Sequence, residues 1–370
     1  MIKSTYSIND TTIYEQSSSM NAGIDSLLEL TKISSSAGIF TSRVLIKFPL
    51  EEISASYASG KIPNPTFFLN LYQTDVIETP QKYSLVVYPV SQSWENGTGR
   101  ALEPTQNNKI TRTGASWEYR SKQNNSAQYV ASRDTQWTSR SLDVDSTIMY
   151  SNVTGGGTWY SNYYGTQSFN DESADIRMDV TAPILYLLSE GRENDGLILM
   201  RSGSQESDTD EYGTLRFFSR ETNTVYQPKL EVVYDDSSFT STGLTELTTD
   251  EGVVFVKNLK HEYSTKETPK IRVVGRSRYP TKTFSTESNF KSINFLPTSS
   301  YYSIKDAITD EFVVPYSYKG TKLSCDSNGN YLNLDMNSFM RERYYKLCFQ
   351  VTQSDQSVVI YDENFYFKVK

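Results

Sequence analysis

The chain carries one histidine, His261, set in the polar stretch KNLKHEYSTK. A lone imidazole in such a setting reads as a solvated loop residue, which argues against histidine triads, histidine metal clusters and HExxH sites. Acids are plentiful, 44 Asp and Glu in all, and two facing carboxylates would suffice for a glycosidase. No spacing singles out such a pair. Asp143-x-Asp145 and Asp208-x-Asp210 could offer oxygens to calcium, but neither has the glycine and distal glutamate of an EF-hand, so both read as solvated loops. Cys325 lies far in sequence from any base that would activate it. The glycines of TGGGTW have neither the spacing nor the following helix of a phosphate-binding loop. What remains is aromatic chemistry. In TWYSNYYG, Trp159, Tyr160, Tyr163 and Tyr164 could stack on sugar rings or give rigid contact area to a protein partner. The plain alternative is that they pack the loop onto its own domain. These residues predict no catalytic group, no cofactor and no metal.

Period-2 alternation dominates the elements that must position any site. Val44, Ile46 and Phe48 share one face of SRVLIKFPL, and Phe67, Leu69 and Leu71 do so in TFFLNLYQ. YSLVVYPV (83–90), GLILM (196–200), TLRFF (214–218) and KLEVVY (229–234) read as further strands. The recurrent amphipathic helices of a parallel α/β fold are missing. One short helix is predicted in DVTAPILYLLSEG, capped by Thr181 or Asp179, with Pro183 in its first turn and Gly191 at its end. Its Ile184, Leu185 and Leu188 would cover one end of a sheet. Residues from about Asp134 to Ala174, rich in Ser, Tyr, Asn and Gly, read as a long ordered loop.

The balance of 370 residues, net charge −8 and 27 Tyr with 17 Phe suits an acidic all-β protein of two domains. No Lys/Arg cluster offers a grip on nucleic acid. No run approaches the ~20 apolar residues of a membrane helix. The opening MIKSTYSINDTTIYEQ has no signal-peptide pattern, which predicts synthesis in a cytoplasm. Cys325 and Cys348 are too few for a disulfide framework, and whether they pair is left open. Between Asp235 and Asp250, eight of sixteen residues are Ser or Thr, a linker composition. At least five strand patterns follow it, matching a small immunoglobulin-like sandwich in size and spacing. There Tyr345, six residues after Phe339, resembles the tyrosine corner of such sandwiches. The predicted organisation is 1–236 for a first β-sandwich, 237–248 for the linker and 249–370 for a second.

An ordered series of motifs runs through residues 1–236: DTTIYEQ, Asn21-Ala-Gly23 with LLEL, SRVLIKFPLEEI, Trp94 in YPVSQSWENG, Trp117 in ASWEYRS and TGGGTWY. MDVTAPILYLLSEGRENDGLILM and the closing FFSRETNTVYQPKLEVVYDD complete it. In this order they resemble a DNRLRE-type module, a family related to carbohydrate-binding β-sandwiches. The resemblance implies a jelly-roll-like sandwich followed by the immunoglobulin-like one. It also implies a non-catalytic structural protein of a tailed bacteriophage, in the neck, tail or fibre attachment. Such a protein would reside in the virion as a homo-oligomer and act through contacts with other virion proteins. The alternative reading is a carbohydrate-binding module that attaches to a surface glycan.

Within the closing motif, Arg220 and Glu221 stand side by side at a strand end. Adjacent strand residues point to opposite faces, so one of the two is expected to turn inward and need a partner. Arg43 or Arg216 would serve Glu221. The pair is read as a structural brace, and Glu221→Ala is expected to cost about 1–3 kcal/mol.

Overall fold

The six residues that alternation assigns to one face, Val44, Ile46, Phe48, Phe67, Leu69 and Leu71, are all in the core. A computed structural model of the chain describes residues 1–77, 80–101, 113–121, 135–137, 142–144, 147–149, 155–170, 175–189, 191–247, 252–279, 294–353 and 356–370. The fold is all-β. Among the described residues α-helix is limited to Glu51–Ala58, Thr181–Leu187 and the single turn Ser204–Ser207. The chain divides into two compact units, Thr5–Ala55 with Thr66–Glu231, and Val232–Lys370 with Met1–Ser4 and Ser56–Pro65.

In the first of these units the larger sheet runs Gly165–Asn170, Lys82–Pro89, Leu197–Arg201, Gly38–Lys47, Leu27–Ser35, Gly213–Phe218 and Gln73–Ile77, with Asn9–Tyr14 also paired to Gly38–Lys47. A smaller sheet sets Lys229–Val233, Thr66–Leu71 and Ile176–Asp179 side by side. Its strand Lys229–Val233 is buried on both faces. Lys229 and Glu231, two apart and therefore on one face, answer each other at 2.9 Å, and Arg177 reaches Glu231 at 3.2 Å. Buried charge is tolerable only when paired in this way.

Register gathers three loops at one end of the larger sheet. Leu197, the first residue of its strand, lies opposite Pro89, the last of its own, and Gly165 lies opposite Val87. The segments that follow Pro89, precede Gly165 and precede Leu197 therefore emerge together. Gly165–Asn170 is a strand inside the stretch that composition assigns to a loop. Its burial alternates weakly and it carries a glycine and two polar amides, so no apolar alternation marks it.

The predicted helix forms over Thr181–Leu187, with Asp179 Oδ1 accepting the Thr181 N–H at 2.8 Å. Its buried face is Pro183, Ile184, Tyr186 and Leu187, whereas Leu185 and Leu188 are half-buried. The helix has barely two turns. The sheet selects which residues are covered, and the 3.6-residue period has little length over which to decide.

The unit containing Val232–Lys370 has two further sheets. One runs Thr245–Glu246, Asn294–Phe295, Lys270–Ser277, Gly329–Asn333 and Ser324–Asp326, with Gly252–Lys257 also on Lys270–Ser277. The other runs Glu262–Tyr263, Val358–Val369, Arg343–Thr352, Ser300–Asp306 and Phe312–Val314. The Ser/Thr-rich stretch is hydrogen-bonded here over much of its length. Cys325 N–H donates to Ser238 O at 2.8 Å, Thr240 N–H to Cys325 O at 2.9 Å and Leu247 N–H to Phe295 O at 2.8 Å. The Tyr345 hydroxyl donates to Met340 O at 3.1 Å, so this tyrosine fastens the entry of its strand to the loop before it. Cys325 and Cys348 are both buried and free.

Candidate functional site

The three loops that converge after Pro89 and before Gly165 and Leu197 enclose a cleft of about 340 Å³. Backbone bonds fix its walls. Ser91 N–H donates to Thr158 O and Tyr160 N–H to Pro89 O, each at 3.0 Å. The Thr181–Leu187 helix presents Tyr186 from its last turn, and Ser189 Oγ closes that turn onto Tyr186 O at 2.6 Å. The third wall is the turn that carries Arg192, Glu193 and Asp195. Asn194 Nδ2 pins that turn to Phe48 O, and the Trp94 indole N–H donates to Asp195 O, both at 2.8 Å. Arg120, on Tyr119–Ser121, closes the cleft and donates through one terminal nitrogen to Ser93 O at 2.8 Å and Ser93 Oγ at 2.9 Å.

Two polar atoms of lining residues, Ser91 Oγ and Arg120 Nε, are buried away from solvent without a hydrogen-bond partner. Ser91 as a whole is 7% exposed. The Asp195 side chain is 9% exposed. Burial pushes its carboxyl above the usual aspartate range, opposed by the nearby charges of Lys47 and Arg120. Burial, followed by the neighbouring Tyr160, also raises the Tyr186 phenol.

The four aromatics of TWYSNYYG do not form one platform. Trp159 bridges to Val90, stacks on Tyr88 at 6.0 Å and packs against the core that holds Trp94, Trp117 and Trp137. Tyr163 stacks on Tyr186 at 4.1 Å, and Tyr160 meets the same ring edge-on at 4.7 Å. Only Tyr160 of the four lines the cleft, and only Tyr164, 55% exposed, stands clear of the surface. The glycines before Trp159 serve this packing. At Gly156, φ is +84° and a Cβ would fall 2.4 Å from an Arg43 nitrogen and 2.9 Å from the Trp117 ring. Only glycine allows both that backbone and that approach.

Arg43 has a different role from a partner for Glu221. Its guanidinium lies 4.7 Å from the Trp117 ring and 5.0 Å from the Trp159 ring, and it donates to Glu206 at 2.8 Å and Gly156 O at 2.5 Å. Arg216 is bound to Glu29 at 2.6 Å. Glu221 is instead paired with its own neighbour, at 2.6 Å from Arg220, and both side chains are about one-third exposed. The pair closes on itself because the chain turns at Arg220, so the strand rule of opposite faces no longer applies. The buried acid of this corner is Asp10, 2% exposed. Its Oδ2 accepts from Arg220 N–H at 2.8 Å and Ser7 Oγ at 3.0 Å, while the Arg220 side chain donates to Ile8 O.

Asp208 is engaged rather than free for an ion. Lys32 Nζ lies 2.5 Å from one of its oxygens and the Tyr212 hydroxyl 2.9 Å from the other. The Lys32 hydrogen bond holds its pKa below the usual value. Asp145 lies outside the described residues. Among the described residues no three His, Cys, Asp or Glu side chains gather as metal ligands, and no helix is long and apolar enough to cross a membrane.

Sequence reasoning missed Ser91, Arg120, Tyr186 and Asp195. Asp195 sits in RENDG and Ser91 in VSQSW, both of which read as ordinary turns. Only the strand register brings them together.

No protein-family model and no curated protein matches the chain. Among solved structures it is similar to a DUF4785 family protein from Legionella pneumophila, with a TM-score of 0.20 and 7% identity. That match covers all of this chain, which spans 61% of the Legionella protein's length. It is also similar to the adhesin domain of Epf from Streptococcus pyogenes, with a TM-score of 0.15 and 9% identity over 100% of this chain and 91% of the other. The botulinum neurotoxin serotype C1 binding domain gives a TM-score of 0.18 and 9% identity over 98% and 88%. Likeness this remote assigns neither family nor function.

Proposed function

We propose that the protein is a non-catalytic structural component of a tailed-bacteriophage virion, in the neck, tail or fibre attachment, which works through contacts between copies of itself and with other virion proteins. One observation carries the contact part of this reading. Of the twelve large apolar side chains exposed among the described residues, nine lie between Phe255 and Tyr366. Ile308 and Phe312 flank or occupy the edge strand Phe312–Val314, and Tyr318 follows it. An edge strand offers unpaired backbone groups, and exposed apolar side chains beside it favour burial against another chain. The virion setting rests on the motif series in residues 1–236. The expected outcome is that the chain alone sediments as a defined oligomer at micromolar concentration and that the Ile308→Ser/Phe312→Ser variant sediments as a monomer. A wild-type chain that stays monomeric refutes self-assembly. A second reading, attachment to a surface glycan, is favoured by the cleft beside Tyr160.

A further inference from the structure

We propose that Asn328 is a self-modifying site, at which the Gly329 backbone nitrogen displaces ammonia from the Asn328 side-chain amide and water opens the resulting succinimide to aspartate or isoaspartate. The proposal stands apart from both the assembly and the glycan readings.

The chain has two Asn-Gly steps, Asn96-Gly97 and Asn328-Gly329. This chemistry is least hindered before glycine, which puts no Cβ beside the attacking nitrogen and leaves the backbone free to rotate toward the amide. The structure separates the two steps. Asn96 is pinned, with Nδ2 donating to Gly23 O at 2.5 Å and its main-chain O accepting from Asn21 Nδ2 at 2.8 Å. Gly97 is packed so closely that a Cβ there would fall 2.1 Å from Thr113 O and 2.4 Å from Asn21 Oδ1. To bring the Asn96 amide onto the Gly97 nitrogen, these contacts must open. Asn328 instead is exposed, in the two-residue turn that joins Ser324–Asp326 to Gly329–Asn333. Its N–H donates to Asp326 Oδ1 at 2.9 Å, but no hydrogen bond holds its side-chain amide among the described residues. A turn tip opens locally at little cost, whereas packed loops do not. The fold also keeps the step in place. Gly329 has a φ of +97°, a backbone that favours glycine over every other residue.

The reaction needs only water. The Gly329 nitrogen loses its proton and bonds to Asn328 Cγ, the Cγ–Nδ2 bond breaks, and the amide nitrogen leaves as ammonia. Water then adds to one of the two imide carbonyls. Opening at Cγ gives aspartate, and opening at the backbone carbonyl gives isoaspartate, with the main chain rerouted through Cγ. Either product sets a new carboxylate near Asp326, which already holds Lys270 at 2.9 Å and Arg272 at 2.5 Å, and like charges so placed repel. Isoaspartate also lengthens the backbone of the two-residue turn by one carbon.

The test incubates the full chain at mildly alkaline pH and follows both asparagines by peptide mapping, with electron-transfer fragmentation to separate isoaspartate from aspartate. In the folded chain Asn328 should convert at least about tenfold faster than Asn96, equivalent to about 1.4 kcal/mol of barrier. In the guanidinium-unfolded chain the two should convert at similar rates. Conversion at Asn328 should speed up as pH rises, because the attacking nitrogen must lose its proton. Asn328→Ser should remove the acidic species that accumulates on ion exchange. An Asn328 that converts no faster than Asn96 in the folded chain overturns the proposal, as does an acidic species that persists unchanged in Asn328→Ser.

Discussion

Replacing Asp10 by Asn should change how stability depends on pH. Asp10 is 2% exposed, and burial pushes its carboxyl from 3.8 up to about 6, against the pull of the Arg220 N–H, Ser7 and the Arg220 charge. The folded state thus holds this proton more tightly than the unfolded chain does. Stability is then greatest below the unfolded pKa, falls as pH rises, and levels off above about 6. A gap of roughly two units at about 1.4 kcal/mol each makes the ionised carboxylate about 3 kcal/mol unfavourable at neutral pH. Asparagine keeps a carbonyl oxygen for the two donors but brings an N–H₂ into a buried place, at about 1–3 kcal/mol if unsatisfied. The net effect at pH 7.5 is therefore between neutral and a gain of about 2 kcal/mol. The pH profile is the sharper readout. Between about pH 4.5 and 7.5 the wild type should lose about 2 kcal/mol that the variant retains. All four tryptophans, Trp94, Trp117, Trp137 and Trp159, lie in the unit of Thr5–Ala55 and Thr66–Glu231, so urea unfolding followed by tryptophan fluorescence reports on the unit that contains Asp10. Parallel pH profiles for the two proteins would refute a buried, ionised Asp10.

At the same corner, Glu221→Ala should cost no more than about 1 kcal/mol, the ordinary value of an exposed ion pair. Ser219→Ala should cost about 1–3 kcal/mol, because its fully buried Oγ donates to Asp25 O at 2.5 Å and accepts the Glu221 N–H at 3.0 Å; the reverse ranking in urea unfolding would move the brace back to the ion pair. In the other unit, Tyr345→Phe should lower stability by about 1 kcal/mol through loss of the hydrogen bond to Met340 O. Calorimetry of the two proteins checks this, and an unchanged transition would mean that the hydroxyl bond contributes nothing net.

What was legible in the sequence was local. Two-residue alternation needs only neighbours, so the faces of Val44–Phe48 and Phe67–Leu71 follow without knowledge of topology. Pro183 marks the start of Thr181–Leu187 for the same reason, although the residue at the N-cap is Val180, without a side-chain cap, and Asp179 accepts from the Thr181 N–H one position earlier. Partners across the fold were not legible. Arg43 meets Glu206, 163 positions away, and Arg220 meets Asp10 across 210; in each case strand order decides, and many acids in the chain were equally eligible. The cleft shows the same limit. Tyr160 was named for its aromatic ring, but Ser91, Arg120 and Asp195 carry no signal until Leu197 is placed opposite Pro89.

The two buried thiols have a practical consequence. Cys325 and Cys348 are the only cysteines of the chain, and burial raises both thiols, Cys348 to about 11. Thiolate is the reactive form, so oxidants and maleimide reagents find little to attack in the folded protein. A single cysteine introduced at an exposed position such as Tyr164 or Tyr318 then becomes the one fast-reacting thiol. Dyes or cross-linkers placed there can measure distances between neighbouring copies without first stripping the native cysteines from the core.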